Sequence, residues 1–360
     1  MDESYKYTTP EQQIKKLKSQ NLSFKNEHIA KKILETYGYY NIINGYRDPY
    51  ITRSYGEKKY TANVTFEQIY ALFKLDHNIR SAVLLSMIDL EEHLRAVVSD
   101  IIAEAFGTNH KDYLQKNNYR DKKVRDPYYS RENILESLTR LAENSHKEPI
   151  QYYRRKYGFV PPWILFKGAY FGTLINFIRL LKKPQRDKLV YALYGNKQVT
   201  QENIDSFKDL LSDTLFLCRD YRNLAAHGGR VYNYIPQKNI RFFEKDKQLS
   251  GLLQLVSGLD FFLYKKPCKD IEKAINESLN EYCHTYPNDI PRLEQAIGLE
   301  IIAKNFVWIN LNTGKYHTNP HCSGSQLCKE VLLDYAEQKG YEPCKKCCNS
   351  IISTNDSINT

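Results

Sequence analysis

The chain has 360 residues, of which 42% are hydrophobic, so it is long enough for one large domain and a small one, and its composition excludes wholesale disorder. Lys and Arg number 52 against 42 Asp and Glu, and the formal charge of +10 favours a polyanionic partner, because basic side chains bind phosphate. The N-terminus is polar and no run of about 18 apolar residues occurs, so we expect no signal peptide, no membrane span and a cytoplasmic protein.

The first half of the chain carries helical patterns. Residues 10–35 predict two short helices joined by a polar turn, and the Tyr- and Gly-rich residues 38–50 predict a loop or short turn packed by its own Tyr residues. In residues 65–107 apolar side chains recur every three or four positions, which predicts one long helix ending at Gly107. Residues 108–130 are polar and charged, and they indicate an exposed loop or insertion.

The helical pattern continues toward residue 300. Further helices are predicted near 132–143, 161–183, 206–226, 249–264 and 271–282. Few segments alternate with period two, so the sequence predicts an all-α domain over residues 1–300.

The C-terminal region has a different pattern. Residues 306–317 alternate around an Asn-Thr-Gly turn, which predicts a β-hairpin, and residues 329–339 predict a short helix that stops at Gly340. We therefore expect a small α+β module over residues 301–350, followed by a disordered tail over residues 351–360.

Arg222 and His227 lie at the end of the helix predicted for residues 206–226. Arg is a permanent cation that clamps phosphate oxygens, and His exchanges a proton near neutral pH, so the pair suffices for metal-independent RNA cleavage. Five residues on an ideal helix correspond to about 140° of rotation, so both side chains reach one site only if the Arg curls round or the last turn distorts. The spacing alone favours a structural alternative, in which Arg222 bridges helices and His227 packs in the last turn.

The neighbouring residues distinguish this pair from a decoy. Arg140 and His146 have nearly the same spacing, but they lie in charged amphipathic sequence, which indicates a solvated surface pair. Beside His227, small residues are followed by Gly228 and Gly229, which can end a helix and leave room for a ligand.

The segment RNLAAHGGRVYN, residues 222–233, resembles the R-N-x-x-A-H-x-x-R-x-(Y/W)-N signature of abortive-infection (Abi) proteins of the AbiD/AbiF type, a bacterial HEPN family. Other segments match the family in the same order, and the resemblance covers about residues 5–240. These segments are YTTPEQQIKKLKSQNL, GYYNIINGYRDPY, the helix that carries Asp76, Arg80, Glu91 and Arg95, and PPWILFKGAYFGTL.

The resemblance implies an α-helical HEPN fold and a homodimer in which two Arg-x4-His motifs face each other in one composite site. It implies an endoribonuclease toxin of phage defence that leaves 2′,3′-cyclic phosphate ends, with RNA as substrate and a small noncoding RNA as a further partner. The catalytic residues implied are Arg222, His227 and Asn223. The residues implied in RNA binding or support of the site are Arg230, Tyr232, Asn233, Glu91 and Arg95.

The chain departs from the family at Lys167, where members often carry Glu. If that Glu aids catalysis, this chain lacks its contribution. The alternatives are therefore a non-catalytic RNA-binding HEPN scaffold or regulator, and a DNA-binding regulator that uses the C-terminal module. No helix-turn-helix pattern supports the DNA-binding alternative.

Five of the eight cysteines lie in the last 40 residues, which favours a local metal site over a disulfide framework. His317-x4-Cys322 and Cys344-x2-Cys347 form two chelating pairs, and thiolates with imidazole select zinc. The alternates are His321, Cys328 and Cys348.

The C-terminal segment is similar to small Ada-like zinc modules with a Tyr-His…Cys…Gly-Tyr-x-Pro-Cys-x-x-Cys pattern. Four protein ligands leave no open position for catalysis, and a module of this size has little core, so we expect the zinc to be structural. Lys315, Lys345 and Lys346 add positive charge for contact with phosphate.

Overall fold

A computed structural model describes residues 7–54, 57–121, 129–242, 249–299, 306–319, 322 and 328–348. The chain divides into two compact units: Met1–Asn276 with Gln295–Leu299, and Glu277–Glu294 with Glu300–Thr360. The first unit is predominantly helical, and the second contains a small sheet. No helix in the described ranges combines the length and apolarity that a membrane crossing requires.

The helices before the C-terminal sheet are, in chain order, α1 (Pro10–Ser19), α2 (Glu27–Tyr37), α3 (Phe66–Phe106), α4 (His110–Tyr113), α5 (Arg131–Asn144), α6 (Ile150–Tyr157), α7 (Pro162–Gly168), α8 (Phe171–Leu180), α9 (Lys183–Tyr194), α10 (Ile204–Ala226), α11 (Gly251–Asp260), α12 (Lys266–Thr285) and α13 (Ile290–Ile297). Shorter helical turns cover Tyr40–Asn44, Asp48–Tyr50, Lys116–Asn118 and Pro287–Asp289. A hairpin of β1 (Ile51–Ser54) and β2 (Glu57–Tyr60) precedes α3.

The 41-residue α3 is the central helix of the first unit, because α7, α9 and α10 all pack against it. Thr65 caps its first turn by accepting a hydrogen bond from the Gln68 backbone N–H, and Gly107 ends it with a φ of +81°. The long helix predicted from the apolar spacing is confirmed, and the two predicted N-terminal helices are confirmed as α1 and α2.

One polar segment is more ordered than predicted, whereas the Tyr-rich segment before α3 is confirmed as a packed short turn. Residues 38–50 form a π-helical turn and a 3-10 turn, and Tyr46 is buried there. In the predicted exposed region 108–130, Tyr113 donates to the Val160 carbonyl at 2.8 Å and Tyr119 donates to the Tyr113 carbonyl at 2.6 Å. Both phenols are buried, because each hydroxyl finds an acceptor inside the protein.

The second unit holds a four-stranded sheet in the order β5 (Cys328–Leu332), β3 (Phe306–Asn310), β4 (Lys315–His317) and β6 (Glu342–Pro343), with α14 (Leu333–Gln338) between β5 and β6. The predicted hairpin is confirmed as β3 and β4, with Trp308 opposite His317. The helix predicted for residues 329–339 is wrong in its first part, because Val331 pairs across from Val307 in the sheet and packs against its core. The predicted tail 351–360 lies outside the described residues.

Candidate functional site

The C-terminal end of α10 presents the Arg-x4-His segment, and its backbone is set by two glycines. His227 is the first residue beyond the helix, and Gly228 follows with a φ of +72°. The Gly229 N–H donates to the Leu224 carbonyl at 2.8 Å, and a Cβ on Gly229 would meet the Leu224 side chain at 2.3 Å. Glycine is therefore required for this close helix end, as the sequence predicted.

The buried carboxylate of Asp76 on α3 holds the segment that follows His227. One oxygen accepts hydrogen bonds from the backbone N–H groups of Val231 at 2.9 Å and Tyr232 at 2.8 Å. The other accepts from the Tyr46 hydroxyl at 2.6 Å, and the Arg80 guanidinium lies 3.9 Å away. Burial raises the pKa of Asp76, while these hydrogen bonds and the Arg80 charge oppose the rise. The backbone of residues 231–232 is thus fixed directly to α3.

Two arginines tie the same segment to the rest of the first unit. Arg80 donates to the Gly228 carbonyl at 3.0 Å, directly beside His227. Arg230 donates to the Gly45 carbonyl at 2.7 Å, and the Tyr232 ring stacks on the Tyr46 ring with centroids 6.4 Å apart. Arg230 and Tyr232, which the resemblance implies in RNA binding or support, therefore make protein contacts, and Tyr232 is buried. Asn233 is half-buried.

Glu91 and Arg95 of α3 form an ion pair that faces Arg222. The Nη2 of Arg95 lies 2.5 Å from the Glu91 carboxylate and also donates to the Ala169 carbonyl at 2.9 Å. Burial raises the pKa of Glu91, and the charges of Arg95 and Arg222 oppose this rise. Arg222 is thus held within electrostatic range of a carboxylate on α3.

Arg222 keeps hydrogen-bonding capacity that nothing in the described part of the chain uses. Its side chain is half-buried, and its Nε is buried without a hydrogen-bond partner there. A guanidinium has five N–H donors, and the Nε donor is enclosed by protein, so an anionic ligand would have to be met by the terminal nitrogens of Arg222.

His227 and Asn223 are exposed at the end of α10, four residues apart on one helical face. The positive charge of Arg222 instead opposes the rise in the pKa of Glu91 on α3. Among the described residues, Arg222 and His227 therefore have no interaction partner in common. This separation agrees with the rotation of about 140° that five residues give on an ideal helix.

Sequence reasoning gave no role to Tyr46, and it named Asp76 and Arg80 only as parts of a family motif. The available signal was the position of Asp76 on the apolar face of α3, between Phe73 and Ile79. A carboxylate there requires buried partners. Lys167 is exposed, and it lies two residues before Ala169, whose carbonyl accepts a hydrogen bond from Arg95.

A second site lies in the C-terminal sheet module. The ligand atoms of His317, Cys322, Cys344 and Cys347 all lie within 4.8 Å of one another, as the predicted zinc set requires. The Cys322 and Cys344 sulfurs are 4.0 Å apart, and the Cys347 sulfur is 3.6 Å from Nδ1 of His317. His317 is buried and its Nε2 lacks a described partner. The donor set and its spacing fit a tetrahedral metal ion.

The geometry also bears on the alternate ligands. Cys348 is fully buried in the core of the module; its sulfur lies 3.6 Å from the Tyr316 carbonyl and 4.0 Å from the Cys347 sulfur, but Cys348 is not one of the four residues whose ligand atoms all lie within 4.8 Å of one another. His321 and the side chain of Cys328 lie outside the described residues.

Comparisons with known proteins add two findings. A family model described as "Abi-like protein" matches residues 32–233, more than half of the chain and the whole Arg222–Asn233 segment. The chain is also similar to a "Transcription factor S-II-related protein" of Acanthamoeba polyphaga mimivirus, 39% identical over 79 residues. That match covers 22% of this chain and 43% of the relative, so the chain spans less than half of the relative's length. No solved structure matches the chain.

We predict that Asp76→Ala destabilises the first unit. The change leaves two backbone N–H groups and the Tyr46 hydroxyl without their acceptor, and each unsatisfied buried group costs about 1–3 kcal/mol. Chemical denaturation should show a loss of about 3 kcal/mol or more in the free energy of unfolding. Glu92→Ala, an exposed position on the same helix, is the control and should stay within about 0.5 kcal/mol of wild type. Equal unfolding curves for the two variants would contradict the role assigned to Asp76.

Proposed function

Because the chain belongs to the Abi-like protein family, we propose that it is an endoribonuclease effector of bacterial phage defence, of the AbiD/AbiF type within the HEPN superfamily. The observation that carries the proposal is the end of α10. There an exposed His227 and an Arg222 with unused donors flank a glycine-ended turn that Asp76 and Arg80 hold in place. Both residues lie inside the region that matches the family.

The proposed reaction is transesterification at a phosphodiester. The ribose 2′-oxygen attacks phosphorus and loses its proton to a base, the bond from phosphorus to the 5′-oxygen breaks, and that oxygen gains a proton. The products are a 2′,3′-cyclic phosphate and a 5′-hydroxyl. His227 moves a proton, because imidazole titrates near neutral pH, and Arg222 stabilises the additional negative charge on the phosphate oxygens. Asn223, on the same face as His227, orients the substrate.

We propose that the working site belongs to a homodimer. In one copy Arg222 faces α3 while His227 is exposed, so a second copy that approaches the end of α10 would bring its Arg222 or His227 to the same phosphate. Sedimentation velocity under cleavage conditions tests this arrangement, because an active protein that is entirely monomeric would contradict it.

A non-catalytic RNA-binding scaffold is the second candidate. The exposed Lys167 favours it, since the family that the chain resembles often carries Glu there. Under this alternative the net charge of +10 binds RNA, including a small noncoding partner RNA, and no cleavage follows.

We predict that His227→Ala and Arg222→Ala each reduce RNA cleavage by the purified protein by about 100-fold or more, the range for loss of a proton-transfer group or a charge-stabilising group. The matched controls are Arg140→Ala and His146→Ala, which remove the decoy pair on the surface; Arg140 is 66% exposed. Cleavage rates on a labelled single-stranded RNA measure the effect. Equal rates for all four variants would exclude the proposed active site, and no cleavage by wild type would favour the scaffold.

We further propose that His317, Cys322, Cys344 and Cys347 bind zinc and that the metal stabilises the C-terminal module. Among the described residues, the core of that module contains five buried side chains, so metal coordination would supply much of its folding free energy. The exposed Lys345 and Lys346 lie between the chelating Cys344 and Cys347 and would contact nucleic acid or a docking partner.

We predict that Cys347→Ser lowers the zinc content of the purified protein, because it removes one of four clustered ligand atoms. Cys348→Ala is the matched control, since this neighbouring sulfur lies outside the cluster, and it should retain full zinc content. Atomic emission of the purified proteins gives the metal-to-protein ratio. Loss of zinc from Cys348→Ala with retention in Cys347→Ser would assign the ligands differently.

A further inference from the structure

Four arginines gather on the first unit beside the predicted active site. Arg179 on α8 and Arg219 on α10 each place the guanidinium carbon 4.9 Å from the centroid of the Phe216 ring. Arg120 donates from Nε to the Arg179 carbonyl at 2.6 Å, and Arg186 on α9 is close enough for its charge to act on Arg120. These residues, Arg120, Arg179, Arg186 and Arg219, are here termed the arginine cluster.

The positive charge of the arginine cluster is poorly balanced. Among the described residues only Arg219 has a carboxylate partner, Asp220, at 2.9 Å. Asp187, the neighbour of Arg186 in sequence, is bound by two lysines instead. Burial together with the neighbouring positive charges lowers the pKa of Arg120 and Arg179. Holding like charges together is unfavourable, and a bound anion would relieve that repulsion.

The cluster is aligned with the predicted active site through α10. Phe216, Arg219, Asn223 and His227 follow one another at spacings of three, four and four residues, which places them on one helical face. Eight residues separate Arg219 from His227, about 12 Å along a helix axis at 1.5 Å per residue. Each of the four side chains on this face is at least partly exposed. A polymer that reaches His227 and continues along this face therefore meets the arginine cluster.

We propose that the arginine cluster binds the sugar-phosphate backbone of the RNA strand that is cut at His227. Arg holds phosphate oxygens in a bidentate manner, and Arg179 and Arg219 both lie against the Phe216 ring, which keeps two guanidinium groups close together in the chain itself. Such contacts position a strand without reading its sequence. The identity of the ligand as RNA rests on the proposed nuclease function, whereas the phosphate-binding role rests on the cluster itself.

The test measures binding of a fluorescein-labelled, mixed-sequence single-stranded RNA to the full chain carrying His227→Ala, which leaves the RNA intact. Affinity is measured over a series of salt concentrations for three proteins. They are this parent, the parent that also carries Arg179→Gln and Arg186→Gln, and the parent that also carries Arg140→Gln. Arg140→Gln is the control, because it removes one positive charge, as each substitution in the cluster does. Each phosphate contact of a single strand contributes about 0.7 to the magnitude of the slope of log affinity against log salt concentration. Loss of two contacts should therefore reduce that magnitude by about 1.4. It should also weaken RNA binding by about tenfold or more at low salt. Arg140→Gln should match the parent, because Arg140 is 66% exposed and lies outside the arginine cluster.

Arg179 is partly buried and also bonds Asn176, so Arg186→Gln alone serves as a second variant that leaves this packing untouched. It should lower the slope by about 0.7. The proposal is overturned if both cluster variants keep the affinity and slope of Arg140→Gln, or if the parent does not bind RNA. A further outcome is that the cluster variants bind RNA more weakly while the chain with His227 intact cleaves no RNA. That result would support RNA binding by the arginine cluster and would exclude the proposed nuclease activity.

Discussion

The buried carboxylate of Asp76 is the interaction on which the predicted active site depends. It accepts two backbone hydrogen bonds just beyond the end of α10 and a third from Tyr46, so three parts of the first unit meet at one side chain. A buried carboxylate is costly unless its oxygens are satisfied, and here the chain satisfies them with groups that must themselves be held. The same contact therefore stabilises the fold and fixes the turn that carries His227.

The end of α10 is also the basis of the proposed dimer. Helix geometry directs Arg222 toward Glu91 and Arg95 of α3, while His227 projects from the first residue beyond the helix. The charge of Arg222 thus acts on α3 while His227 is exposed, and in our proposal a second copy supplies the complementary group. Toward the start of α10, the helical face that carries Asn223 also carries Arg219 of the arginine cluster, so the proposed catalytic and strand-binding residues lie on one helix.

The sequence predicted the local features well. The spacing of apolar side chains located α3, and Gly228 with Gly229 located the end of α10, because both signals act within a few residues. The resemblance pointed to Arg222 and His227, and chelate spacing predicted the His317, Cys322, Cys344 and Cys347 cluster. The positions of these side chains are now known, whereas their catalytic and zinc-binding roles stay predictions.

Features that depend on distant partners were missed. Val331 was predicted as helical, but pairing with β3 makes it a strand residue, and that partner lies more than twenty positions away. Tyr113 and Tyr119 lie in polar sequence, yet each is buried through a hydroxyl hydrogen bond that periodicity does not reveal. The arginine cluster joins residues from α8, α9, α10 and the segment after α4, so only the tertiary structure brings it together.

The chemistry of the RNA ends tests the central claim most directly. Purified protein is incubated with a labelled RNA in the presence of EDTA, and the new 3′ ends are examined for a 2′,3′-cyclic phosphate by their resistance to phosphatase before acid treatment. Our account predicts cyclic phosphate ends with the wild-type chain and none with His227→Ala, because Arg222 and His227 carry the reaction without a catalytic metal. Ends bearing a free 3′-hydroxyl, or equal cleavage by His227→Ala, would contradict it.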